Sequence, residues 1–171
     1  MVDILLREMQ KQDLDEIMEI EKISFGPNHW SYESFVSEFI NRLGNYFTAI
    51  NKNTHKVIGY CGFWLILDEA HITTIAVHPE CRKQGIGEIL LQKMINTGYE
   101  KEAKWFTLEV RASNISAQNL YYKYGFKSLG LRRKYYQDNQ EDALIMWTEN
   151  IWESKFKDKF QELQGKLTKA N

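Results

Sequence analysis

The stretch Ile75–Glu88, IAVHPECRKQGIGE, constrains this chain most, because it joins a strand, a glycine loop and a helix start without a spacer. The apolar run from Ile72 to Val77 reads as a buried strand. His78-Pro79 ends it, since proline offers no N–H to a ladder and biases its predecessor away from helix. From Ile86 onward the apolar residues Ile86, Ile89, Leu90 and Met94 recur at i, i+3, i+4 and i+8, one face of a helix. Between the two lies Arg82-Lys83-Gln84-Gly85-Ile86-Gly87. Two glycines one residue apart let the backbone approach a ligand without Cβ collisions, and N–H groups at a helix N-terminus seat an anion such as a pyrophosphate. Arg82 and Lys83 add charge of the right sign, and Glu88 closes the stretch. The same residues would also serve an ordinary strand-to-helix turn. A Walker loop is excluded by the missing GK[ST] ending, and a dinucleotide fingerprint by Leu90, which stands where a third glycine belongs.

A length of 171 residues suits one domain with a single sizeable core. The formal net charge of −1 supplies no global basic field, which argues against a dedicated nucleic-acid binder. Cys61 and Cys81 lack metal-ligand spacing and read as free thiols, so no metal is expected. His29, His55, His71 and His78 fall in no catalytic or metal pattern. No apolar run approaches the length of a membrane span, and MVDILLREMQ lacks a signal-peptide core, so a soluble, cytoplasmic protein is expected.

The patterning along the chain predicts a mixed α/β (α+β) fold. A first strand covers Asp3 to Glu8. Asp13 is placed to cap a helix that buries Leu14, Ile17, Met18 and Ile20, with Asp15, Glu16, Glu19 and Glu21 toward water. Gly26-Pro27 breaks that helix, and Ser31 caps a second one to about Phe39, with Phe35, Val36 and Phe39 inward. Tyr46–Ile50 and Val57–Leu67 form an antiparallel pair around Asn51–His55, and His71–Val77 continues the meander. After the glycine loop a long helix runs to about Tyr99, and a strand returns at Trp105–Val110. Strand, helix, strand with one crossover implies a locally parallel pair, open to splaying. A helix from Ser116 carries Ala117, Leu120, Tyr121 and Tyr124 on one face and stops at Gly125. Strands at Phe126–Tyr136 and Ala143–Thr148 complete a central sheet of about seven strands, flanked by about four helices.

The tail differs in character. Trp152, Phe156, Phe160, Leu163 and Leu167 recur at helical spacing with lysines on the other face, so residues 150–171 read as an amphipathic helical extension to a domain over 1–149. Docking on the chain's own core, on a partner or on a membrane surface all suit such a stripe.

Arg82, Gly85 and Gly87 match the [QR]xxGx[GA] pattern, and the loop resembles motif A of the GNAT N-acetyltransferases, where it holds the pyrophosphate of acetyl-CoA. A second stretch narrows the likeness. TLEVRASNISAQNLYYKYGF (Thr107–Phe126), followed by RRKYYQDNQEDALIM (Arg132–Met146), resembles the RimI-type N-terminal alanine acetyltransferases of a ribosomal protein. The likeness covers nearly all of Ile75–Trp147 and is weaker in the first 45 residues.

An α-amine with a pKa of about 8 must lose a proton before it attacks a thioester. The resemblance makes Glu109 the proton acceptor, through water. From its position alone it could equally be a strand-end glutamate paired with Arg111. The leaving thiol has a pKa of about 8.5 and a phenol about 10, so hydrogen bonding to the sulfur matters as much as full proton transfer. The resemblance makes Tyr121 that donor, whereas its helical face suits a core aromatic. Backbone N–H groups of Ile75, Ala76 and Val77 would bind acetyl-CoA alongside Arg82, Lys83, Gln84, Gly85, Ile86, Gly87 and Glu88. Asn114 would contact the same cosubstrate and also suits a helix N-cap. Tyr135, Tyr136 and Trp30 would border the acceptor, a protein N-terminus. One departure bears on specificity: the proline-tryptophan-serine turn of RimI-like chains is interrupted here by Asn28-His29, between Pro27 and Trp30-Ser31. A broader N-terminal, lysine or small-amine acetyltransferase, or a CoA-binding interaction protein, would carry the same loop.

Overall fold

The computed structural model describes residues 3–170, with side chains through residue 167. In chain order the elements are β1 (Ile4–Glu8), α1 (Leu14–Phe25), α2 (Tyr32–Glu38), β2 (Gly44–Asn51), β3 (Val57–Ile66), β4 (Glu69–Val77), α3 (Ile86–Glu100), β5 (Trp105–Arg111), α4 (Ile115–Lys123), β6 (Lys127–Tyr136), β7 (Glu141–Trp147) and α5 (Ser154–Ala170). The strands form one seven-stranded mixed sheet in the order β1-β2-β3-β4-β5-β7-β6. The parallel pair implied by the crossover is present: Glu69, Ala70 and His71 of β4 stand against Trp105, Phe106 and Thr107 of β5. Two compact units make up the fold, the residues up to Leu65 with Ile72–Met94, and Ile66–His71 with the residues from Ile95 onward.

In the first unit β1 and β3 flank β2 in antiparallel register. Leu14, Ile17 and Ile20 of α1 and Phe35 of α2 bury against Tyr60. The Tyr46 ring packs against Gly62 of β3, where a Cβ would come within 2.1 Å of it. Asp13 does not cap α1 through its side chain. Its buried carboxylate accepts two hydrogen bonds of 2.7 Å from Arg7, one of 2.8 Å from the Gln10 N–H and one of 3.1 Å from Thr48. Burial pushes this carboxyl up, but Arg7, Gln10 and Thr48 outweigh it and hold it below its ordinary value.

Two further expectations are corrected in this unit. Asp15 and Glu19 face water, but Glu21 is only 2% exposed and Glu16 is half-buried, accepting from the Val57 N–H at 2.5 Å. Ser31 does cap α2, receiving the Ser34 N–H at 3.1 Å, and Phe35 is buried. Phe39, however, lies past the end of α2 and is 37% exposed.

In the second unit β7 pairs antiparallel with both β5 and β6, and β6 is bulged between Ser128 and Gly130 and again between Arg132 and Tyr136. Gly98 of α3 lets Phe106 pack close, since a Cβ there would meet the ring at 2.6 Å. The stripe of α5 buries Phe156, Phe160 and Leu163, with Phe160 against Tyr99 at 6.0 Å and Tyr124 at 6.3 Å between ring centroids. Gln164 of α5 donates to Asn96 at 3.1 Å. Trp152, expected to open that stripe, precedes the helix; its indole N–H donates to the Ala103 carbonyl at 2.8 Å and its ring meets Tyr99 edge-on. Among the described residues no helix is long and apolar enough to cross a membrane.

Candidate active site

In the first unit β4 delivers Ile75, Ala76 and Val77 to the start of the glycine loop, and a short 3-10 turn over Pro79–Cys81 follows. Arg82 then folds back. Its Nε donates to the Val77 carbonyl at 3.0 Å and its Nη2 to Ser24 Oγ at 3.3 Å, so this exposed arginine braces the loop against β4 and α1. Lys83 (φ +61°) and Gly85 (φ +79°) both adopt left-handed backbone, bracketing Gln84, whose amide donates to the Glu80 carbonyl at 3.4 Å. A left-handed lysine is costlier than a left-handed glycine, and such residues concentrate at ligand-binding turns.

The Ile89 N–H closes onto the Gly85 carbonyl at 3.0 Å, so α3 starts at once and its first turn, Ile86, Gly87 and Glu88, directs N–H groups along the helix axis. Ile86 contributes backbone alone to this end, because its side chain is buried beside Gly59. The first-turn amides and the exposed Lys83 give this end of α3 a positive field, the sign that phosphate groups require.

Trp30 lies in the same unit, at the end of the turn between α1 and α2. Its backbone N–H donates to Glu21 at 2.8 Å, and its ring packs at 5.3 Å from Phe35 and 6.4 Å from Tyr46.

In the second unit Glu109 sits on β5 opposite Ile145 of β7, with its side chain 31% exposed. Its partner is Arg132 of β6 at 3.3 Å, and not Arg111. Arg111 instead pairs with Asp138 and Glu141, each at 3.1 Å, and lies over the ring of Tyr136, 3.8 Å from its centroid. Ser113 above all, with Asn139 and Arg111, holds the Glu141 carboxyl down at about 2. Burial pushes the Tyr136 phenol up to about 12. Tyr135 is 41% exposed, meets Tyr136 edge-on at 5.2 Å and stacks under Arg132.

Asn114 caps α4, accepting the Ala117 N–H at 3.1 Å, and Tyr121 is 4% exposed, its ring 5.4 Å from Phe126. Sequence reasoning missed Gln118. It is buried beside Tyr121 on α4, and its amide donates to the carbonyls of Arg111 and Ala112, both at 2.9 Å, which ties α4 to the end of β5. The signal was available: a glutamine three residues before a buried tyrosine shares its helical face.

Residues 12–126 match the Acetyltransferase (GNAT) family. The chain is 44% identical over 142 residues to a Bacillus subtilis protein provisionally named a [ribosomal protein bS18]-alanine N-acetyltransferase, covering 83% of this chain and 93% of that one. It is 37% identical over 119 residues to the [ribosomal protein bS18]-alanine N-acetyltransferase of Escherichia coli, covering 68% of this chain and 78% of the relative. The crystal structure of an Escherichia coli ribosomal-protein alanine N-acetyltransferase superposes with a TM-score of 0.77 at 31% identity, over 85% of this chain and 93% of that one. The chain therefore belongs to the GNAT family of acetyltransferases, enzymes that take the acetyl group from acetyl-CoA.

Proposed function

We propose that this protein transfers the acetyl group of acetyl-CoA to the N-terminal α-amine of a protein, and that its acceptor is the N-terminal alanine of small-subunit ribosomal protein eighteen. The observation that carries the substrate is the 44% identity with the Bacillus subtilis relative, which extends over 93% of that protein. The catalytic domain is 1–149, with 150–171 as its helical extension, and the acceptor locates the enzyme to the cytoplasm.

Glu109 accepts the proton of the acceptor amine through a water molecule. The amine nitrogen then attacks the thioester carbonyl, the C–N bond forms as the C–S bond breaks, and the electron pair leaves on sulfur. Tyr121 hydrogen-bonds the departing sulfur and supplies its proton, and the second proton, shed by the nitrogen as the amide forms, passes to the Tyr121 phenolate and restores it. Donors aimed at the carbonyl oxygen stabilise the charge that develops there, and backbone N–H groups of Ile75, Ala76 and Val77 are suited to this. The loop Arg82–Glu88 and Asn114 bind the cosubstrate, with the first turn of α3 on its phosphates. Trp30, Tyr135 and Tyr136 contact the acceptor peptide.

A peptide panel tests the reading. Peptides that begin with alanine are expected to be acetylated at the α-amine faster than peptides with other first residues, and faster than N-terminally blocked peptides that offer a lysine. Preference for the lysine ε-amine or for a free small amine would overturn it.

A further inference from the structure

Glu21 is the most deeply buried carboxylate of α1, and nothing in the chemistry above uses it. Leu14 and Ile17 share its face of the helix, and Phe35 and Tyr60 complete the surrounding core. An apolar residue would pack there at lower cost, because a buried carboxylate forfeits hydration unless both oxygens are satisfied. Both are satisfied. Oε1 accepts the Trp30 backbone N–H at 2.8 Å, and Oε2 accepts the Tyr60 hydroxyl. The two donors lie on different elements, the turn after α1 and the middle of β3. The carboxylate thus ties the end of the turn to a strand that carries an immobile ring, since Tyr60 is fully buried and edge-packed on Phe35 at 5.8 Å.

The turn itself needs such a tie. It leaves α1 through Gly26, whose left-handed backbone (φ +54°) leads into a short 3-10 turn closed by the His29 N–H on the Gly26 carbonyl at 3.2 Å. Those bonds shape the turn internally without fixing where Trp30 comes to rest. The Glu21 contact fixes its backbone, one residue before Ser31 caps α2, while Phe35 and Tyr46 hold its ring.

We propose that Glu21 is a positioning residue for acceptor binding: through the Trp30 backbone and the Tyr60 hydroxyl it sets the Phe25–Trp30 turn, and with it the affinity for the acceptor peptide. The proposal rests on the reading that Trp30 contacts the acceptor. A glutamine suffices for this role, since its carbonyl can accept the Trp30 N–H while its amide donates to the Tyr60 oxygen. The balance of charge agrees. Burial pushes the Glu21 carboxyl up to about 7 against the opposing Trp30 N–H and His29, so the protonated form, which like glutamine offers an acceptor oxygen and a donor, is populated at neutral pH.

Steady-state kinetics test this, with an alanine-initiated peptide and acetyl-CoA varied in turn. Glu21→Ala is expected to raise the peptide KM about tenfold, the cost of orphaning a buried donor, while the acetyl-CoA KM stays within about twofold. Glu21→Gln is expected to restore the peptide KM. Tyr60→Phe, which keeps the ring and frees one carboxylate oxygen, should raise it about threefold, and this variant carries the test if Glu21→Ala does not fold. Trp30→Ala separates the two levels. If it leaves the peptide KM unchanged, the acceptor role of Trp30 falls and this proposal with it. If it raises the peptide KM while folded Glu21→Ala or Tyr60→Phe leaves it at the wild-type value, the positioning role of Glu21 alone is overturned. Equal increases in both KM values would also contradict it.

Discussion

The Arg132 guanidinium on β6 lies 3.3 Å from the Glu109 carboxylate on β5, although β7 runs between the two strands. Glu109 is level with Ile145 and Arg132 with Ala143, so the contact crosses β7 diagonally. Both side chains are partly exposed, at 31% and 53%, and pairs of that kind contribute at most about 1 kcal/mol to stability. Glu109→Gln is therefore expected to lower turnover by about 10² to 10⁴, the usual range for a general base, with the melting temperature and acetyl-CoA affinity close to wild type. Single-turnover acetylation and a thermal melt check this. Turnover at the wild-type level would remove Glu109 from the mechanism.

Asp13 answers to a different purpose. Its four hydrogen bonds join β1, the entry to α1 and β2, and its removal leaves Arg7 with an uncompensated charge in a partly buried place. Asp13→Ala is expected to destabilise the protein by about 3 kcal/mol. The folded carboxyl lies below its ordinary value, so its contribution is present above about pH 4 and is lost as the pH falls through the folded value. Denaturant midpoints at pH 7 and pH 3 should differ in wild type by more than they do in Asp13→Ala.

Glu21 carries the opposite sign. Its carboxyl is raised from 4.5 to about 7, so between those values the folded protein binds more protons than the unfolded one and stability falls as the pH rises. Glu21→Gln should lack that decline. The variant is expected to exceed wild type by up to about 3 kcal/mol at pH 8 and to converge with it near pH 4 in urea titrations. Parallel curves at all pH values would show that the carboxyl does not titrate in this range.

Phe160 is the centre of the α5 contact, stacked on Phe156 and facing Tyr99 and Tyr124. Truncating so large a buried ring costs about 3 to 5 kcal/mol. Phe160→Ala is expected to lose that much stability by chemical denaturation, whereas Lys159→Ala, on the exposed side of the same helix, should change it by less than about 0.5 kcal/mol.

Much of the fold was legible because each element announces its own period. The strand-loop-helix at Ile75–Glu88, the Ser31 cap and the stop at Gly125 all follow from local residue chemistry. The side-chain pairings were less legible. Glu109 and Arg111 share a strand face and look like natural partners, yet the register of β6 brings Arg132 to Glu109 and the β6–β7 turn brings Asp138 to Arg111. Asp13 reads as a cap because Thr48, 35 residues away, is invisible until β2 folds beside β1. Glu21 belonged to an acidic run that composition assigns to water. Its spacing of four from Ile17 and seven from Leu14 places it on the buried face, and that periodicity outranks charge as a guide to where a helix packs.

The central claim is tested most directly by mass spectrometry of unacetylated small-subunit ribosomal protein eighteen after incubation with the enzyme and acetyl-CoA. The account predicts a mass gain of one acetyl group, mapped by fragmentation to the α-amine of the N-terminal alanine and strongly reduced with Glu109→Gln. An unchanged mass, with an enzyme shown to be folded and to bind acetyl-CoA, or an acetyl group mapped to a lysine, would contradict it.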